Sequence, residues 1–278
     1  VISGSTRVAG VIGSPVRHSL SPAIMNAAFD ALGVDWRFFA FEVPGGGAAA
    51  ALAAMRALGL GGLSVTMPHK EAVAGLVDRC SSDAEQLRAV NCVVPSGDLL
   101  VGENTDGPGF CDALRNDLDL EPAGLRVAVL GAGGAARAVV LALGRAGAAE
   151  VVVVNRTPAN AERCAALAPG TGRVGTAAAA LERADLVVNA TSVGMGGTGL
   201  PLDPSLLQAG HAVVDLVYHP TVTPLLAAAA AKGCRTAGGL GMLVYQAVHA
   251  VRHWTGLEPP VEAMAAAARA ALADRETD

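Results

Sequence analysis

The chain has 278 residues, 52% of them hydrophobic and 16% charged, with 20 Lys and Arg against 25 Asp and Glu for a net charge of −5. That length is comfortable for two domains, and the composition is globular, with enough apolar side chains for a full core. An acidic balance with no basic block and few aromatics argues against nucleic acid as a partner, although a few local cations still allow a small anionic substrate. The positive mean hydropathy comes largely from alanine, as in Ala48–Ala51 and Ala227–Ala231, and no uninterrupted apolar stretch is long enough to span a bilayer. The opening VISGSTR lacks a signal peptide's basic start and apolar centre, so a cytoplasmic protein is expected. Five scattered cysteines, Cys80, Cys92, Cys111, Cys164 and Cys234, with no CxxC spacing, read as reduced core thiols.

In chain order, Val8–Ile12 is an apolar strand, followed by the loop GSPVRHSLSP from Gly13 to Pro22 and an amphipathic helix over Ala23–Leu32. Ser21 can cap that helix with Pro22 at its first position. Equally, Ser19 and Ser21 flanking Leu20 at a helix start suit a carboxylate, because hydroxyls and free N–H groups converge there. Trp36–Val43 reads as a strand, Ala48–Leu58 as a helix and Gly62–Thr66 as a strand running into Met67, Pro68, His69 and Lys70. Strand and helix alternate, so the fold class is α/β. Thr66 and Lys70 then lie beyond the carboxyl end of a strand, where α/β sheets place ligands, although a lysine there is commonly only a solvated charge. Asn91, in the β-prone run LRAVNCVV, needs a turn or a hydrogen-bond partner and is a candidate polar anchor.

GENTDGPGF from Gly102 to Phe110 clusters turn formers and marks a domain boundary, with a helical pattern over Phe110–Leu118. Asp106 there can serve as a helix N-cap, or it can join Lys70 in moving a proton on and off a substrate hydroxyl. LRVAVLGAGGAAR, Leu125–Arg137, then reads as strand, phosphate turn and helix. Gly131, Gly133 and Ala136 match G-x-G-x-x-G/A, in which the first glycine turns the chain, the second admits a pyrophosphate and the third small residue lets helix pack on strand. Ala132, Gly134 and Ala135 complete the turn, and the strand Glu150–Val154 closes one βαβ unit.

In the NAD form of this unit an acid stands about 20 residues past the glycines. Here Asn155, Arg156 and Thr157 follow the second strand, with no acid among them. Arg156 brings a permanently charged planar fork suited to a 2′-phosphate, and Asn155 and Thr157 add neutral donors, so NADP is the expected cofactor. Asp185–Asn189 is a strand ending in Thr191 and Ser192, whose backbone can line the pyrophosphate and the nicotinamide ribose. His211–Leu216 is another strand, and Pro220–Leu225 starts a helix. His219 reads as structural. Gly238–Thr255 carries Met242 and Gln246 on one helix face, and His249 and His253 share the i, i+4 spacing of metal ligands but lack a third, so no metal is expected. A last helix spans Val261–Ala273.

GSPVRHSLSP, SVTMPHK, AVN, NTDGPGF, GAGGAAR and GLGMLVYQ occur in the order and at about the spacing found in shikimate dehydrogenases, and from Gly13 to roughly Gly256 the chain resembles that family. The resemblance implies an α/β substrate domain formed by residues 1–105 and 240–278, and a Rossmann-type NADP domain formed by 106–239. It implies that Ser19 and Ser21 hold the substrate carboxylate, that Thr66, Asn91, Tyr218 and Gln246 surround the ring with Lys70 and Asp106 as the catalytic pair, and that Gly239 and Met242 lie by the nicotinamide. Ser64, a shorter donor that reaches less far into a pocket, stands where the family most often has Asn. The activity so implied is NADP-dependent, reversible reduction of 3-dehydroshikimate to shikimate, by a monomer or homodimer that takes only small molecules. Quinate or aminoshikimate as substrate is the alternative within the family, and a non-catalytic NADPH sensor is the alternative outside it.

Overall fold

The computed structural model describes residues 2–276. The chain divides into two compact units, one of residues 1–105 with 244–278 and one of 106–243. In the first unit the elements run β1 (Arg7–Gly13), α1 (Ser21–Leu32), β2 (Trp36–Glu42), α2 (Ala48–Leu58), β3 (Gly62–Val65), α3 (Lys70–Ala74), β4 (Arg79–Cys80), α4 (Ser82–Leu87), β5 (Cys92–Ser96) and β6 (Leu99–Glu103). The second unit contains α5 (Asp106–Leu118), β7 (Arg126–Leu130), α6 (Gly134–Arg145), β8 (Glu150–Val154), α7 (Pro158–Ala165), β9 (Gly172–Val174), α8 (Ala177–Leu181), β10 (Leu186–Asn189), β11 (Ala212–Asp215), α9 (Pro224–Ala231) and β12 (Arg235–Gly238). Then α10 (Leu240–Thr255) starts in the second unit and continues into the first, which also holds α11 (Val261–Glu276). No helix among the described residues is long and apolar enough to cross a membrane.

The first unit is built on a six-stranded sheet in the order β2-β1-β3-β5-β6-β4. β1 pairs parallel with β2 and β3, as strand–helix alternation demands, but β5 runs antiparallel to both β3 and β6. The reversal comes from a hairpin between β5 and β6 with Gly97 at φ 59 in its turn, a conformation glycine adopts without steric penalty. Side chains alternate across the sheet. Ile12, Leu63 and Val65 therefore meet Ala48, Leu52, Met55 and Val73 of α2 and α3 on one face. On the other, Phe38 stacks on Trp254 of α10 at 6.0 Å, and the Trp254 indole N–H donates to the Val93 carbonyl at 3.1 Å. Gly62 lies beneath that ring, where a Cβ would stand 2.3 Å from it.

The second unit has six parallel strands in the order β12-β11-β10-β7-β8-β9. Parallel sheets are covered on both faces, which is why these strands read as continuous aliphatic runs. In β7, Val127 and Val129 belong to one buried cluster with α5 and α6, and Ala128 and Leu130 to another with α8 and α9. β7 is flanked by β8 and β10, so the strand order reverses at its carboxyl end.

Several expected boundaries move. α1 begins at Ser21, with Leu20 in the N-cap position and no side-chain cap, so Ser21 is not the cap. α5 begins at Asp106, four residues before the expected start, and α9 begins at Pro224 because the Thr223 hydroxyl accepts the Leu226 N–H and sets the cap there. Asn91 precedes β5 and is not inside a strand. All five cysteines are free thiols; four are buried and Cys80 is half-buried, and burial pushes Cys111 and Cys164 up to about 11. Replacing Trp254 by Ala should lower unfolding free energy by roughly 3–5 kcal/mol, the usual scale for removing a buried tryptophan. Chemical denaturation measures this, and a loss below about 1 kcal/mol would show that the ring does not anchor α10.

Candidate active site

In the first unit the predicted residues gather where β1 and β3 end. The Thr66 N–H donates to the Ile12 carbonyl at 2.9 Å and the Ser14 N–H to the Met67 carbonyl at 3.0 Å, which ties the loop after β3 to the loop after β1. Thr66 and Lys70 are half-buried, and Lys70 opens α3. Its carbonyl accepts the Val90 N–H at 2.9 Å, which holds Lys70 beside the segment leading to Asn91. His69, 1% exposed, has its Nε2 2.7 Å from the Val43 carbonyl and so pins the same loop to the end of β2. Nothing in the motif spacing marks that imidazole; its signal is only its place between Pro68 and Lys70.

Asn91 is the polar anchor its surroundings require. Its side-chain carbonyl accepts the Thr105 N–H at 2.8 Å and the Thr105 hydroxyl at 3.3 Å, and its amide lies 3.0 Å from that hydroxyl. Asn104 donates to the Ala89 carbonyl at 2.9 Å. Both residues before Asp106 are thus fastened, and Asp106 follows as the buried first residue of α5. Ser19 accepts the Ser21 N–H at 3.2 Å, so the two serines form one turn at the entry to α1. Ser64 is buried in β3 between Val11 and Cys92. Gln246 is half-buried on α10, two turns before Trp254.

In the second unit the phosphate turn lies at the strand-order reversal, the usual crevice for a nucleotide. Gly131 has φ 108, and a Cβ on it would stand 2.9 Å from the Ala190 carbonyl and 3.0 Å from the Thr191 methyl, so no other residue fits. Gly133 and Gly134 are different: no heavy atom lies within 4 Å of where their Cβ would be. Gly133 caps α6 without a side-chain bond, leaving the first N–H groups of a twelve-residue helix open to an anion. A pyrophosphate fits that cradle. Ala135 is half-buried in the first turn, and Ala136 is fully buried under it.

Arg156 is exposed at the end of β8, beside Asn155, whose amide donates to the Thr157 carbonyl at 3.1 Å. Thr191 and Ser192 follow β10, and half-buried Tyr218 follows β11. His219 beside it is exposed and does not support a packed structural role. Gly239 is required by close approach, since a Cβ would meet the Leu216 carbonyl at 2.1 Å. Met242 packs against the core cluster of Phe110, Leu114 and Val214.

Sequence reasoning missed the polar group beneath these loops. Asn189 and Asp215, the last residues of β10 and β11, are fully buried, and Asn189 Nδ2 donates to Asp215 Oδ1 at 2.8 Å. Buried Thr223 donates its hydroxyl to Asp215 Oδ2 at 2.6 Å. Burial pushes the Asp215 carboxyl above the usual range, against the opposing bonds from Thr223, Val217 and Asn189. The available signal was a polar residue closing each of the aliphatic runs LVVN and AVVD.

Three family models match the chain: the shikimate dehydrogenase substrate binding domain over residues 11–93, shikimate / quinate 5-dehydrogenase over 116–195, and the shikimate 5'-dehydrogenase C-terminal domain over 239–269. A relative from Geobacter metallireducens, named shikimate dehydrogenase (NADP(+)), is 48% identical across 98% of this chain and 99% of its own. The structure of shikimate 5-dehydrogenase from Thermus thermophilus in complex with NADP(H) and shikimate has a TM-score of 0.90 and 41% identity over 96% of this chain and all of that one. Quinate dehydrogenase from Corynebacterium glutamicum in complex with NAD reaches a TM-score of 0.87 at 36% identity, over 95% of this chain and 99% of that one. Likeness of that identity along almost the whole chain, joined to these loops at the strand ends, makes this protein a member of the shikimate dehydrogenase family.

Proposed function

We propose that the chain is an NADP-dependent shikimate dehydrogenase, reversibly reducing 3-dehydroshikimate to shikimate. The observation that carries this reading is its 48% identity, nearly end to end, with a relative of that name, and Lys70 and Asp106 supply the proton chemistry the reaction requires. Residues 1–105 and 240–278 form the domain that holds most of the substrate, with Asp106 and Tyr218 added from outside it, and 106–239 form the domain that holds most of the cofactor, with Met242 added at its end. Gly131, Ala132, Gly133, Gly134 and Ala135 receive the pyrophosphate, Asn155, Arg156 and Thr157 the 2′-phosphate, and Thr191, Ser192, Gly239 and Met242 the nicotinamide half.

When bound, the nicotinamide supplies or accepts the hydride, so the protein's task is to align two rings and handle one proton. Ser19 and Ser21 hold the substrate carboxylate, and Thr66, Asn91, Tyr218 and Gln246 bind around the ring. Lys70 donates a proton to the oxygen of the ketone as it is reduced and recovers it in the reverse direction. Asp106 orients that ammonium and the substrate hydroxyl. Asn91 has a second task, because its bonds to Thr105 set the chain path into Asp106. We place the enzyme in the cytoplasm, as a monomer or homodimer.

Replacing Lys70 by Ala should lower kcat by about 10²-fold or more, the scale of a positioned acid–base group, with a smaller change in KM. Steady-state kinetics in both directions measure the split, and a change confined to KM would overturn the assignment. Arg156→Ala should raise the KM for NADP by about 10- to 100-fold, the loss of a charge-assisted bond, while leaving that for NAD in place. An equal rise for both cofactors would remove Arg156 from the 2′-phosphate site. Following nicotinamide absorbance with shikimate, quinate and aminoshikimate, each with NADP and NAD, should give the highest kcat/KM for shikimate with NADP. A preference for quinate would move the assignment to the other activity of the family and point to Ser64.

A further inference from the structure

The polar cluster at the ends of β10 and β11 connects two loops that are distant in sequence, the one after β10 and both ends of the one between β11 and α9. Asp215 Oδ1 accepts the Asn189 amide at 2.8 Å and the Val217 N–H at 3.1 Å, and Asp215 Oδ2 accepts the Thr223 hydroxyl at 2.6 Å. Asn189 in turn accepts the Thr191 N–H at 3.1 Å and its hydroxyl at 2.7 Å, and donates to the Val193 carbonyl at 3.1 Å. One carboxylate therefore holds the loop after β10 through Asn189, the loop after β11 through Val217, and the start of α9 through Thr223. The loop ordered through Asn189 is the one that touches the phosphate turn, because the Thr191 methyl and the Ala190 carbonyl occupy the space beside Gly131. The Val217 carbonyl accepts the Gly239 N–H at 3.3 Å, which carries the same constraint to the residue before α10. Gly194, at φ 102, folds over the cluster, with its Cβ direction 3.8 Å from Asp215 Oδ2 and from Thr223.

A buried carboxylate is retained only where donors satisfy it, and removing it leaves each of those donors unsatisfied. A fold that needed only to close the ends of these strands would do so with aliphatic residues, as the rest of both strands does. We propose that Asp215 is a positioning residue for cofactor binding: it locks the loops 190–195 and 216–223 in the conformation that presents Thr191, Ser192 and the phosphate turn to the dinucleotide. This rests on the proposed use of that turn for NADP. Asp215 itself touches neither cofactor nor substrate in this role.

The test compares wild type with Asp215→Leu, Asp215→Asn and Thr223→Val, by NADPH fluorescence titration and by amide hydrogen exchange of the ligand-free protein. Asp215→Leu should weaken NADPH binding by about 10-fold or more, the effect of several donors left unsatisfied, and should speed exchange in 189–195 and 216–226 while β7 and β8 stay protected. Asp215→Asn keeps an acceptor for Asn189 and Val217 and should recover most of the affinity. Thr223→Val, which removes one donor and preserves shape, should loosen 216–226 alone and remains informative if the leucine variant fails to fold. Unchanged affinity and exchange in folded variants would overturn the proposal, as would faster exchange spread evenly over the sheet, which is the mark of a merely structural role. Wild type that binds NADPH but does not turn over shikimate would defeat the proposed function and leave the Asp215 result standing. Wild type that does not bind NADPH would defeat both.

Discussion

Parallel pairing of β7 with both β8 and β10 is the constraint from which the second unit follows. Parallel strands share one direction, so every strand in the unit ends at the same edge and every loop that leaves a carboxyl end starts there. At β7 the order reverses: the connection leaving β7 packs α6 on one face of the sheet and the connection leaving β10 packs Leu202 and Leu207 on the other, which sets a crevice between them at the carboxyl ends. Gly131 is the point at which this becomes a requirement on one residue. The neighbouring loop at Ala190 and Thr191 fills the volume a side chain would need.

The same geometry explains where polar side chains are found. A strand covered on both faces has no position for an unpaired polar group until its ladder ends. β10 and β11 accordingly carry aliphatic residues up to Asn189 and Asp215, and these two bond each other and the loops beyond them. In the first unit the change from apolar to polar comes at corresponding places, with Ser14 after β1 and Thr66 after β3, and backbone bonds between the loops bring Lys70 to the segment that carries Asn91. Binding groups in both units are thus held at the ends of rigid strands, which is where a sheet can position them without giving up core.

Much of this was legible locally. Aliphatic runs and glycine-rich turns mark β7, α6 and β8 in their order, and β8 with its bounds, because hydrophobic periodicity and turn chemistry act over a few residues. Helix starts were less legible: Ser21 has the composition of a cap, yet the chain is already in helical geometry at Leu20, which takes the cap position without a side-chain bond. The antiparallel hairpin of β5 and β6 was also missed, although Gly97 and Asp98 between two β-prone runs are a two-residue hairpin signal.

Sequence by itself determined the α/β class, the phosphate turn, the absence of an acid after β8 and the residue types available for proton transfer. Each of these depends on neighbours along the chain, and side-chain periodicity or chemistry expresses it directly. Only the tertiary structure decided that Asn91 fastens Thr105, that His69 secures the loop of Lys70, and that Asp215 gathers Asn189, Val217 and Thr223. Those bonds join residues brought together by strand order, and strand order is set by burial summed over whole sheets, which no short stretch of sequence contains.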